Sequence, residues 1–112
     1  MESGNEVFTV KKGRDYFNVK KRDIISLESS KHNMILSLSG ADNIEYRGAF
    51  KDEAEKLNNT FFIQPHAAYI VNINHVMSFH GTHMIIDNGS LVPVSRQRAR
   101  AVKCAFMNIM ER

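Results

Sequence analysis

The chain has one cysteine, no long apolar run, and a central stretch without a single charged side chain. Each absence excludes something. A lone thiol, Cys104, cannot close an internal disulfide, so it is expected to serve as a small apolar residue in a reducing compartment. The longest apolar stretches, such as Met34 to Leu36 and Met84 to Ile86, fall far short of the roughly 20 residues of a membrane span, and no transmembrane segment is expected. The start, Met1-Glu-Ser-Gly, offers neither a basic n-region nor an apolar h-region, so the expected location is cytoplasmic. Linkers rich in Gly, Ser or Pro and repeats of solenoid length are missing too. The 112 residues therefore read as one domain over residues 6–112, behind a short tail at residues 1–5 that is either disordered or an expression remnant. A hydrophobic share of 43% with 24% charged residues lies near globular averages and argues against disorder.

What is present is a segregated charge. The net value of +3 averages unlike regions. Lys11, Lys12, Arg14, Lys20, Lys21 and Arg22 face only Asp15 in their segment, a local +5, and Arg96, Arg98, Arg100 and Lys103 face no acid at all between residues 95 and 103, a local +4. Residues 41–56 are acidic by −2. Residues 58–86 carry no Asp, Glu, Lys or Arg, yet hold four of the five histidines.

Short alternating or β-branched runs bounded by turn residues dominate the chain. Glu6 to Val10 and Tyr16 to Val19 flank Lys12-Gly13-Arg14, a hairpin pattern. Ile24 to Leu27 and Met34 to Leu38 flank a polar loop from Ser29 to Asn33, and Ile44 to Arg47 alternates after it. Phe50, Ala54 and Leu57 then recur at helical spacing, which predicts a short amphipathic helix over Ala49 to Leu57. Phe61 to Ile63 resumes extended structure, Pro65 interrupts it, and Tyr69 to Asn72 follows. Val76 to Phe79 and Met84 to Ile86 form a hairpin over Gly81-Thr82, and Asn88-Gly89 turns the chain into Leu91-Val92. From Ser95, an N-cap candidate, to Met110 the pattern is helical, with Ala99, Val102, Phe106 and Ile109 on one face.

Few of these residues suggest catalysis. His75, His80 and His83 fall in one hairpin region, but no carboxylate or cysteine accompanies them there and no zinc-ligand spacing is present. Nucleophile elbows, phosphate-binding glycine loops and nucleotide fingerprints are absent. Neither enzymatic activity nor a metal or other cofactor is expected. The basic segments, by contrast, place cations at strand ends: Arg96 follows Ser95 at a strand-to-helix junction, and His32 and Asn33 sit beside Lys31 at a loop tip, where their side chains can hydrogen-bond base edges or phosphates. The competing reading is a protein-interaction module using the uncharged residues 58–86.

A resemblance tips this balance. The run Phe61-Phe62-Ile63-Gln64-Pro65-His66-Ala67-Ala68-Tyr69-Ile70-Val71-Asn72, with Ile73, Val76 and then Leu91-Val92-Pro93-Val94-Ser95-Arg96, resembles the LytTR DNA-binding domain of bacterial LytR/AlgR-type response regulators. Asp23-Ile24-Ile25-Ser26-Leu27-Glu28-Ser29 resembles an earlier strand of that family, and Phe50 to Leu57 its short helix. The similarity runs from Glu6 onward. It implies a mainly β, elongated fold of about ten short, mostly antiparallel strands in small sheets with one or two short helices. It further implies sequence-specific binding of double-stranded DNA, with loops entering successive grooves at promoter direct repeats, and no catalysis.

On this resemblance His32 and Arg96 match the two main base-contacting positions. Lys31 and Asn33 beside the first, and Ser95, Gln97 and Arg98 beside the second, become phosphate or base contacts. Lys21 is expected to touch phosphate. In the middle loop the sequence departs from the family: Ala67 and Ala68 follow His66 where Arg or Asn is usual, and Gln64 stands in place of the usual Arg. The central minor-groove contact is weakened accordingly, and His66 reads equally well as a hydrogen-bonded residue locking the Pro65 bend. Further partners implied are a second copy on DNA and a receiver domain in a longer parent chain.

Overall fold

The computed structural model describes residues 6–58 and 61–110, with side chains through Asn108. The tail expected at residues 1–5 and the Ile109 side chain lie outside the described residues. Alternation sends Phe8 and Val10 inward and makes β1 (Val7–Lys12), which pairs antiparallel with β2 (Asp15–Lys20) from Val7 opposite Lys20 to Lys12 opposite Asp15. The Gly13-Arg14 turn between them holds Gly13 at φ +64°, which glycine adopts at no steric cost.

After a 3-10 turn at Lys21–Asp23, β3 (Ile24–Ser30), β4 (Asn33–Leu38) and β5 (Ile44–Arg47) run as a meander. Helix α1 (Phe50–Lys56) then leads to β6 (Phe62–His66) and β7 (Tyr69–Asn72), giving a five-stranded sheet in the order β5-β4-β3-β7-β6. A third sheet, ordered β10-β9-β8, comprises β8 (Val76–Phe79), β9 (His83–Ile86) and β10 (Leu91–Pro93), and α2 (Ala99–Met110) follows it. All these ladders are antiparallel.

The five-stranded sheet is packed on both faces. On one side Ile24, Leu27, Met34, Leu36 and Tyr46 meet Phe8 and Val10 of the hairpin and Leu57 beyond α1; on the other, Ile25 and Val71 meet Met84, Ile86 and Val92 of the third sheet and Val102 of α2. A register shift between Ile24 and Ser26 makes this arrangement on β3 consistent. Residues three apart on a regular strand face opposite ways, and the extra residue of the bulge puts Ile24 and Leu27 on the same side. Burying each such side chain contributes about 1.5–3 kcal/mol, so two apolar layers hold the sheets together. The charge-free residues 58–86 are explained by the same packing: Ile70, Val71, Ile73, Met84 and Ile86 are all core.

Several sequence expectations change in detail. The polar loop expected from Ser29 to Asn33 is a two-residue turn, Lys31-His32, because Ser29 and Ser30 pair with Met34 and Asn33 and continue the ladder. Backbone hydrogen bonding is indifferent to side-chain polarity, and here it outweighs the low strand preference of serine and asparagine. Pro65 does not interrupt β6; it lies inside it, at a register shift between Ile63 and His66 on an edge strand, where a missing N–H breaks no ladder. Helix α2 starts at Ala99 and Ser95 does not cap it. The Ser95 N–H is committed to the Pro65 carbonyl, its Oγ is buried without a hydrogen-bond partner among the described residues, and the chain makes one more turn before winding. Cys104, expected as a small apolar residue, is exposed on α2. The domain measures 41 × 35 × 24 Å, with a radius of gyration of 13.5 Å.

Candidate nucleic-acid interface

Three turns share one edge of the five-stranded sheet. The Lys31-His32 turn closes β3 and β4; the Ala67-Ala68 turn closes β6 and β7; the segment from Ser95 to Arg98 joins β10 to α2. Two backbone hydrogen bonds tie them into a row: Ser29 N–H donates to the Ala68 carbonyl at 2.8 Å, and Ser95 N–H donates to the Pro65 carbonyl at 2.8 Å. Residues separated by tens of positions in sequence are thus held at neighbouring strand spacings of about 4.8 Å.

At the first turn Lys31 and His32 are both exposed, and Lys31 adopts φ +59°. This left-handed conformation costs a lysine about 1 kcal/mol, strain that the tight turn imposes where a glycine would relieve it. Asn33 is already in the ladder, and its Nδ2 donates to Glu45 Oε2 at 3.3 Å, which draws its side chain toward β5. Its cross-strand partner Arg47 stands exposed on the same edge. Sequence reasoning missed Arg47; the alternation of Ile44-Glu45-Tyr46-Arg47 announces a strand, but only the β4–β5 register puts the arginine beside Asn33.

The middle turn is built from small residues and braced from within. His66 Nδ1 accepts the Ala68 N–H at 3.1 Å, its ring meets the Tyr69 ring edge-on at 5.8 Å, and Gln64 Nε2 donates to the Ala67 carbonyl at 3.3 Å. His66 therefore locks the turn, and exposed Ala67 presents only a methyl group. Behind it the Tyr69 hydroxyl donates to Glu28 Oε2 at 3.2 Å, and burial followed by the Glu28 charge pushes the Tyr69 hydroxyl above its ordinary range.

The third turn exposes Arg96 and Gln97. Arg98 is half-buried, with Nη1 3.5 Å from the Gln64 carbonyl, a long contact that points it back along β6. Arg98 N–H donates to the Ser95 carbonyl at 3.0 Å and closes the turn. The structure thus gathers His32, Lys31, Asn33, His66, Ala67, Ser95, Arg96, Gln97 and Arg98 along one edge. Lys21 is placed elsewhere. It lies at the other end of β3, roughly 20 Å of strand away, with its side chain mostly covered and paired with Glu6 at 3.3 Å.

The remaining histidines do not converge on one point. His75 bridges Asp87 Oδ2 at 2.7 Å and the Arg22 carbonyl at 2.8 Å, while the His80 and His83 rings stack 4.8 Å apart at the β8–β9 turn. Among the described residues no three His, Cys, Asp or Glu side chains are grouped to hold a metal, and no helix is long and apolar enough to cross a membrane.

A flat β body presenting three linked turns, two of them cationic, is an architecture that displays hydrogen-bonding side chains in a line. Comparison with known proteins gives it a family. The LytTr DNA-binding domain model matches residues 14–107, and the chain belongs to that family. Among solved structures, the LytTr DNA-binding domain of a putative methyl-accepting/DNA response regulator from Bacillus cereus matches with a TM-score of 0.73 and 22% identity, over 91% of this chain and 97% of that one, a likeness of fold. No curated relative matches.

Proposed function

We propose that this chain, over residues 6–112, binds double-stranded DNA in a sequence-dependent manner, without catalysis, as the output domain of a bacterial two-component response regulator in the cytoplasm. The observation that carries this reading is the row of turns fixed by the Ser29–Ala68 and Ser95–Pro65 backbone hydrogen bonds. His32 and Arg96 project from its two outer members. A rigid sheet fixes where those side chains sit, which removes the ordering cost that mobile loops incur on binding.

In this arrangement Arg96 reads guanine through O6 and N7, the pairing its planar fork matches, and His32 hydrogen-bonds a base edge in an adjoining groove. Lys31, Gln97 and Arg98 contact phosphates, which position the protein without reading sequence. The Ala67-Ala68 turn faces the groove between and contributes shape rather than hydrogen bonds. Two copies on direct repeats then bind head to tail, and a receiver domain on a longer chain governs their pairing.

In vitro selection of bound duplexes at near-physiological salt tests this reading. Enrichment of a short motif, repeated at a fixed spacing, is expected. A pool that remains random while total binding falls uniformly with salt defeats it, because charge alone then accounts for the affinity.

A further inference from the structure

The basic segment at residues 11–14 is not absorbed by the three turns, and the fold gives it a place. The tip of the β1–β2 hairpin lies next to the β5 end of the same edge: Lys11, Lys12 and Gly13 share with Asn33, Glu45, Tyr46 and Arg47 an open cleft of about 430 Å³. Lys12, Arg14 and Arg47 are all exposed. Ion pairs among the described residues join Lys21 to Glu6, Lys56 to Glu53 and His75 to Asp87, so none of these three cations is neutralised by a described carboxylate. Two acids are close by. Asp15 stands across the ladder from Lys12, and Glu45 is engaged by Asn33.

We propose that Lys12, Arg14 and Arg47 form a phosphate-binding shelf that extends the DNA interface outward from the His32 turn, beyond the base-reading row. The inference rests on the DNA-binding reading above and adds to it a sequence-independent contact on one flank. The hairpin supports it mechanically: Phe8 and Val10 are anchored in the core, so the tip is held against β5 and its cations are presented at little conformational cost. Exposed cations without an ion-pair partner among the described residues are what a polyanion backbone requires, and a cleft with Lys12 on one side and Arg47 on the other can seat a phosphate between them.

The test is the salt dependence of binding to the selected duplex by the Lys12→Gln/Arg14→Gln/Arg47→Gln variant, with Lys20→Gln as the control. Lys20 is exposed at the opposite end of the same hairpin, across from Val7. The triple variant should keep the wild-type motif preference, while the slope of log K against log salt becomes shallower by about 0.9 for each phosphate that is no longer neutralised. Hydroxyl-radical protection should retreat on the flank next to the His32 half of the site. Lys20→Gln should leave both unchanged. Thermal unfolding confirms that the variants fold, and Lys12→Gln/Arg14→Gln, confined to exposed hairpin-tip positions, repeats the slope measurement without touching β5. If the wild type selects a motif but the variants bind it with unaltered slope and footprint, the shelf alone is overturned. If the wild type selects none, the DNA-binding reading falls and the shelf with it.

Discussion

The N–H of Ser95 donates to the carbonyl of Pro65 at 2.8 Å, so the turn that carries Arg96 is fastened to the strand that carries His66. Both partners are backbone groups, and substitutions of neighbouring side chains leave the link in place. The exposed side chains of the row are therefore open to mutation without collapse of its geometry.

Arg96→Ala should cost about 1–3 kcal/mol of affinity for the selected duplex and relax preference at one base position, as removal of a bidentate base pairing does. Arg96→Lys should keep the salt slope while still losing the preference, since an ammonium lacks the fork. His32→Ala should relax preference at a different position. Competition binding with single-base variants of the site measures each effect; unchanged preference in both Arg96→Ala and His32→Ala would falsify the assignment of base reading to these turns.

Ala67→Asn should sharpen preference at the centre of the site. Ala67 is exposed and free of positive φ, so asparagine fits with a change in stability within about 0.5 kcal/mol. The added amide can donate and accept in the groove where the native methyl does neither. Selection with the variant should return a central base or step that the wild-type pool leaves degenerate.

Lys31→Gly should have opposite effects on folding and binding. Removing the side chain relieves the φ +59° strain and stabilises the fold by up to about 1 kcal/mol, reduced by the greater freedom of glycine in the unfolded chain. Removal of the cation weakens binding to all duplexes alike. Urea unfolding and titration of specific and random DNA separate the two; a destabilised variant would contradict the strain argument.

Lys21→Ala should leave the salt slope of DNA binding unchanged, because the side chain is covered and sits at the far end of β3. Its pairing with partly exposed Glu6 is worth about 0–1 kcal/mol, and a small fall in urea midpoint is the expected consequence. A slope shallower by about 0.9 would instead place Lys21 on phosphate.

Alkaline pH should destabilise the fold through Tyr46. Its hydroxyl is buried and donates to Glu53 Oε1 at 2.8 Å; burial first, and the hydrogen bond and charge of Glu53 next, raise its pKa far above the ordinary value of 10.0. The raised folded pKa means that this stabilisation is complete below about pH 10 and is lost above it, as the unfolded tyrosine releases a proton that the folded one retains. The loss approaches about 1.4 kcal/mol per pH unit. Tyr46→Phe should cost about 1 kcal/mol at neutral pH and flatten the decline between about pH 10 and 11.5 in urea titrations. Parallel declines for both proteins would refute the attribution.

Much of this architecture is legible in the residues. Alternation in Val7 to Val10 and Ile44 to Arg47, the turns at Gly13-Arg14 and Asn88-Gly89, and the helical spacing of Phe50, Ala54 and Leu57 all follow from local periodicity and turn chemistry. Local patterns failed where a long-range hydrogen bond intervened. Ser95 has the identity of an N-cap, but its backbone is fastened to Pro65, thirty positions back, its Oγ is buried and accepts no helix N–H, and the helix begins only at Ala99. Pro65 has the identity of a strand breaker, but an edge bulge accommodates it.

The candidate site divides the same way. Its residue types, His32, Arg96 and the cations around them, stand out in the sequence because charge and hydrogen-bonding chemistry belong to individual side chains. Their alignment does not. That Arg47 joins Asn33, that Lys12 reaches the same cleft, and that Lys21 lies at the far end of β3 are consequences of strand order and register, which depend on contacts between residues far apart in the chain. The sequence by itself determined which groups are available to meet a polyanion. Only the tertiary structure decided which of them stand together, since a shared edge exists only once the sheets have paired and buried their faces.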